Sequence, residues 1–178
     1  LQQCQYGREK KYWVLKGFHQ LKMKELFEAY PDACVIWTHR DPVQVIASTI
    51  MLSGNLNQML CGHVDWEETA RQFVAGIGAG LDAVLADPMI NDPRIHHVRY
   101  ADLVHDPVGT LRTFYEKYGK PFDEGTEAAL RRYMAENPAD RHGSFRYSTD
   151  VLNTDIEALH ERFRPYRERF GLEIEKRG

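Results

Sequence analysis

The sequence predicts a three-layer α/β protein, a parallel sheet flanked by helices on both faces. Short runs rich in β-formers at 12–16, 33–38 and 95–99 alternate with longer segments of helical periodicity, the rhythm that builds parallel sheets between helical layers. Asp41-Pro42 and Asp106-Pro107 each follow such a run, and an aspartate before a proline starts a helix by capping it and pre-setting its first turn. A chain of 178 residues is long enough to bury a core. No repeat, low-complexity tract or linker divides it, so residues 1–178 are expected to form one domain.

The elements follow in order. Tyr12 to Lys16 is apolar, ends in a cation and precedes Gly17, which suits a buried strand. A helix fits Leu21 to Tyr30, with Leu26, Phe27 and Tyr30 on one face and Pro31-Asp32 as its stop. Ala33 to Thr38 forms a second strand, and a helix then opens at Asp41-Pro42. Ala70, Phe73, Ile77, Leu81 and Val84 recur at spacings of 3 and 4 and predict a long helix from Trp66 to Ala86. Its interior glycines, Gly76, Gly78 and Gly80, each cost roughly 1 kcal/mol against alanine and are expected to mark close packing.

The third strand is Ile95 to Arg99. The helix after Asp106-Pro107 buries Leu111, Phe114, Tyr115 and Tyr118 and ends at Gly119. Another fits Thr126 to Ala135, and the last spans Asp155 to Phe170, where Pro165 should kink or split it.

Composition excludes several classes. The chain is 43% hydrophobic and 28% charged, with a net charge of −3, so no bulk field draws it to nucleic acid or to an acidic membrane. An anion site must come from a few placed cations. Cys4, Cys34 and Cys61 are odd in number and lack C-x-x-C spacing, which fits reduced thiols and a cytoplasmic location. Pro42 to Val64 carries no formal charge at neutral histidine, yet Gln44, Ser48, Ser53, Asn55, Asn57 and Gln58 make it too polar for a bilayer core.

In an open α/β sheet, ligands bind beyond the carboxyl ends of the strands, where helix N-termini offer N–H groups to anions. Arg40 lies at that edge, and Ser48 follows eight residues later on the capped helix. They could define an anion pocket; a surface salt bridge and a packing serine would explain them equally. Lys16 and His19 close the first strand. A cation beside an imidazole suits a group transfer in which a hydroxyl loses its proton, although a histidine at a strand end is also an ordinary surface residue. Arg141, His142 and Gly143 follow Asn137-Pro138 in a polar segment that could fold over a phosphate or simply connect two helices. Tyr100 ends the third strand, placed to stack on a nucleotide or to fill the core.

Other patterns carry no chemistry. Gly76 to Gly80 lies within a helical pattern, not after a strand, so it is no dinucleotide fingerprint. His96 and His97 are adjacent on a strand and face opposite sides. No metal-ligand spacing occurs, so no metal is expected. Gly119-Lys120 lacks the spacing of a Walker loop.

Together the motifs resemble the PAPS-dependent sulfotransferases, in particular their bacterial-type branch. The resemblance rests on Trp13 to Lys16 with His19, on Tyr30 to Pro42 with Ser48, on Val98 to Pro107, and on His142 to Ser148, in this order along nearly the whole chain. It implies a P-loop-NTPase-like sulfotransferase fold and transfer of a sulfuryl group from PAPS to a hydroxyl or amine of a small-molecule or glycan acceptor, releasing PAP. It also implies that Arg40 and Ser48 hold the donor 3′-phosphate, that Arg141, His142 and Gly143 close over it, and that Tyr100 lies near the adenine. His19 would be the catalytic base and Lys16 the cation that stabilises the transferring group. Positioning and electrostatics would supply most of the rate, with no metal required.

Gly17-Phe18 departs from the Ser-Pro expected between Lys16 and His19. The glycine- and serine-rich loop that wraps the 5′-phosphosulfate in such enzymes has no counterpart before Tyr12. The chain is therefore expected to be the C-terminal portion of a longer enzyme, inactive by itself. Two other readings stay open on the residues alone: a P-loop kinase relative, and a catalytically inactive nucleotide-binding or interaction module of the same fold.

Overall fold

A computed structural model describes residues 6–7, 13–138 and 149–175. Its elements in order are α1 (Met23–Ala29), β1 (Val35–His39), α2 (Pro42–Cys61), α3 (Trp66–Ala86), a 3-10 turn (Pro88–Asn91), β2 (Ile95–Arg99), α4 (Tyr100–His105), α5 (Pro107–Lys117), α6 (Glu124–Glu136), a second 3-10 turn (Thr149–Leu152), α7 (Ile156–Arg162) and α8 (Arg164–Phe170). β1 and β2 pair in parallel, with Val35 opposite Ile95 and His39 opposite Arg99.

Local chemistry explains the helix ends. The Asp41 carboxylate accepts from the Val43 N–H at 3.2 Å and caps α2, which Gly62 ends in the left-handed conformation. Asp65, Asp106, Asp123 and Asp155 cap α3, α5, α6 and α7 in the same manner. Pro165 splits the final helical segment, as its missing N–H and fixed φ require: α7 ends at Arg162, and α8 takes the proline in its first turn.

The core has three connected parts. Val43, Ile46, Ala47 and Ile50 of α2 pack with Ala70 of α3, Leu152, Leu159 and Phe163. Met23 and Phe27 of α1 close over Ile95, with Val35 and Trp37 beside them. Val84, Ile90 and Tyr166 form the third part, and Trp37 joins it to the second. One sheet face is thus covered by α1, the first 3-10 turn and α8. On the other face α5 covers β2, with the Phe114 ring against His96, while Ile36 and Thr38 of β1 remain exposed.

Three expectations are corrected. Trp13 to Lys16 is not a strand: Val14 is 95% exposed, and no strand among the described residues pairs with the segment. β-forming side chains do not make a strand without a ladder and a surface to cover. Tyr100 does not end β2 but opens α4, which had no counterpart in the periodicity. Of the three α3 glycines, only Gly78 is tightly packed, since a Cβ there would lie 2.6 Å from Arg162 Nη2, whereas Gly76 faces open space.

Candidate anion-binding site

The parallel register brings the site together. Because His39 lies opposite Arg99, the next residues, Arg40 and Tyr100, leave the two strands side by side. The Arg40 guanidinium lies over the Tyr100 ring, 4.6 Å from its centroid, a cation–π contact that fixes the plane of the fork. Arg40 Nε and Nη2 donate to the two carboxylate oxygens of Glu175, each at 2.7 Å. The backbone N–H of Glu175 in turn donates to Asp41 Oδ2 at 3.1 Å. Asp41 is 1% exposed and uses its other oxygen to cap α2. Arg40 therefore grips an oxyanion through two parallel bonds, the geometry that suits carboxylate and phosphate alike.

Ser48 is half-buried on α2, about 9 Å along the axis from Pro42. Gln44, one turn earlier on the same face, is buried. Lys16 and His19 lie in the exposed segment ahead of α1. The His19 carbonyl accepts from the Lys22 N–H at 2.8 Å, and its ring folds back over Gly17, where a Cβ would collide with the imidazole. The departure from serine at 17 thus has a local consequence: glycine leaves room for this ring position. Arg141, His142 and Gly143 lie outside the described residues. Among the described residues, no group of three or more His, Cys, Asp or Glu side chains could hold a metal ion, and no helix is long and apolar enough to cross a membrane.

Sequence reasoning missed two features. Glu175 lies 135 residues from Arg40, in a terminal segment with no periodicity to flag it. The other is a buried polar chain behind the strand ends. His39, 1% exposed, has Nδ1 2.6 Å from the Tyr166 hydroxyl and Nε2 2.8 Å from His97 Nδ1, and His97 Nε2 lies 2.7 Å from the Ile90 carbonyl. A carbonyl only accepts, so His97 donates to Ile90 through Nε2. Neutral His97 then accepts at Nδ1 from His39, and His39 accepts from Tyr166. Burial, helped by His97 and Arg169, pushes the His39 pKa down to about 3. Burial also lowers His97 and raises the Tyr166 phenol, so all three groups are neutral near pH 7. His96 points to the opposite face, as its strand position requires, 3.3 Å from Thr113 Oγ1.

The Arg40 fork, closed on the Glu175 carboxylate, thus lies at the carboxyl edge of the parallel sheet beside a capped helix, the place where α/β folds commonly bind anions. The chain belongs to the Sulfotransferase family, whose sequence pattern matches residues 1–124, and the kinase reading is set aside. The omega-hydroxy-beta-dihydromenaquinone-9 sulfotransferase Stf3 of Mycobacterium bovis is 28% identical over 148 residues, 82% of this chain and 38% of that protein. Stf3 of Mycobacterium tuberculosis matches over the same share. Among solved structures, sulfotransferase STF9 from Mycobacterium avium has a TM-score of 0.78 at 32% identity, covering 93% of this chain and 43% of its own. Sulfotransferase STF1 from Mycobacterium tuberculosis has a TM-score of 0.62 at 28% identity, covering 86% and 39%. The chain thus spans 38% of the length of the curated relatives it matches.

Proposed function

We propose that this chain supplies the 3′-phosphate half of a PAPS site in a sulfotransferase that modifies a hydroxyl or amine of a small-molecule or glycan acceptor and releases PAP. The observation that carries the proposal is the Arg40 fork, already closed on two oxygens of a carboxylate. A phosphate presents the same pair of oxygens with more charge. Tyr100 beneath the guanidinium supports a place near the adenine, and Ser48, Arg141, His142 and Gly143 complete the assigned set. The Stf3 relatives are named for a hydroxylated menaquinone derivative, which favours a small-molecule alcohol as acceptor.

In this mechanism the His19 imidazole takes the proton of the acceptor hydroxyl. The hydroxyl oxygen attacks sulfur in line, and the bond from sulfur to the bridging oxygen breaks, leaving its electron pair on the phosphate of PAP. The Lys16 ammonium offsets the charge that develops on the transferring or leaving group. The exposure of Lys16 and His19 leaves both accessible to a donor and an acceptor.

Two measurements test the proposal. PAP at a hundred times its dissociation constant should stabilise the protein by about 2.7 kcal/mol, raising Tm by roughly 5–10 °C. AMP should not reproduce the shift, and Arg40→Ala should abolish it. In sulfuryl transfer by the intact enzyme, His19→Ala should lower kcat by about 10²–10⁴-fold. Equal stabilisation by AMP and PAP would remove the 3′-phosphate assignment, and full activity of His19→Ala would remove the base.

A further inference from the structure

The last described residues form a strap across the site. Gly171, in the left-handed conformation with φ of 62°, turns the chain out of α8. Leu172 is tied back by its N–H to the Arg167 carbonyl at 2.9 Å and packs against the third part of the core. Glu173 and Ile174 are exposed. The strap is tied down again at Glu175, by its N–H on Asp41 and its carboxylate on Arg40. Its far end is thus held by polar bonds to the two residues that join β1 to α2, with no buried side chain between.

We propose that Glu175 is an exchangeable counter-anion: its carboxylate holds the Arg40 fork until the nucleotide 3′-phosphate takes over both guanidinium bonds and releases the strap beyond Leu172. The inference rests on the assignment of Arg40 to the 3′-phosphate. A half-buried guanidinium without an anion is costly, so an internal carboxylate keeps the fork planar, paired and aimed while the site waits. A phosphate dianion on an adenosine anchor outcompetes one carboxylate, whereas small monoanions do not. The same competition works in reverse after the reaction: the returning Glu175 carboxylate displaces the 3′-phosphate of PAP and speeds its departure, a step that limits turnover in many enzymes.

The test is a calorimetric titration of PAP and AMP into the wild-type chain, Glu175→Gln, Glu175→Ala and Arg40→Ala, joined to the solvent exchange of the Glu175 amide in the wild type. Both Glu175 variants should bind PAP about three- to tenfold more tightly, the scale of a partly exposed ion pair, with slower dissociation and unchanged AMP affinity. PAP, but not AMP, should free the Glu175 amide to exchange, a readout that needs no substitution. If PAP binds the Glu175 variants no more tightly and the amide stays protected, while Arg40→Ala has lost PAP, the exchange is overturned and the 3′-phosphate assignment survives. If PAP binds none of the proteins, both fall together.

Discussion

His39 shows how far a single side chain departs from its solution chemistry when the fold encloses it. Its ring stacks on Phe170 with centroids 3.6 Å apart, and both nitrogens are committed to Tyr166 and His97. Its pKa falls from 6.5 to about 3. Between those values the unfolded chain binds a proton that the folded protein refuses, so stability is complete above pH 6.5 and is lost as pH falls toward 3. The slope from this residue is up to about 1.4 kcal/mol per pH unit; His96 and His97, lowered chiefly by burial, add in the same sense. Urea unfolding at pH 7, 6 and 5 should show the decline, and His39→Asn should flatten it while lowering stability at pH 7. A pH-independent wild type would show that the imidazole is not enclosed as described. The sequence places His39 on a strand beside Arg40 but carries no sign of its burial, because its partners come from β2 and from α8. Arg40 was legible from its position at a strand–helix junction. Its partner was not, since that contact closes a loop of 135 residues.

At the level of elements, what was legible is what local chemistry decides. Asp41-Pro42, the 3-and-4 spacing through α3, Asp106-Pro107 and Pro165 each act within a few residues, and the corresponding boundaries lie where those signals put them. Trp13 to Lys16 failed because a strand is a property of a pair, and α4 was missed because six residues hold too few apolar positions to show a period. The glycines divide by neighbour, not by helix position. A Cβ on Gly54 of α2 would run into the indole of Trp66, the first residue of α3, and an indole cannot swing aside as a lysine would. Gly54→Ala should therefore destabilise the protein by about 1–3 kcal/mol. Gly76→Ala, where the new methyl meets nothing within 4 Å, should stabilise it by up to about 1 kcal/mol. Denaturant midpoints of the two variants against wild type decide the matter; equal shifts would mean that helix propensity, not the α2–α3 contact, governs both.

Across the whole molecule, large apolar side chains remain on the surface. Val14, Leu15 and Phe18 are exposed ahead of α1, and Leu52, Leu56, Met59 and Leu60 are exposed on the second half of α2. A net charge of −3 provides little repulsion to keep such surfaces apart. The isolated chain should self-associate at micromolar concentration, and Phe18→Lys with Leu60→Lys should shift it toward monomer, as read by light scattering after size exclusion. A wild type that is monomeric throughout would remove this expectation. The helical layers and the parallel pairing were legible as architecture, because alternation of element types is a global pattern; which faces stay open was not, because exposure depends on what covers them. One bond inside the sheet has a further effect on this architecture. His97 lies opposite Trp37, so the contact between His39 and His97 runs diagonally across the ladder. A slip of β1 along β2 by one residue would turn His39 to the other face, and a slip by two toward the carboxyl end of β2 would carry it away from His97, in either case stranding polar nitrogens among Trp37 and Phe170. The pair thus acts as a registration key: of the alignments two short apolar strands could adopt, it penalises the single-residue slips that would part Arg40 from Tyr100.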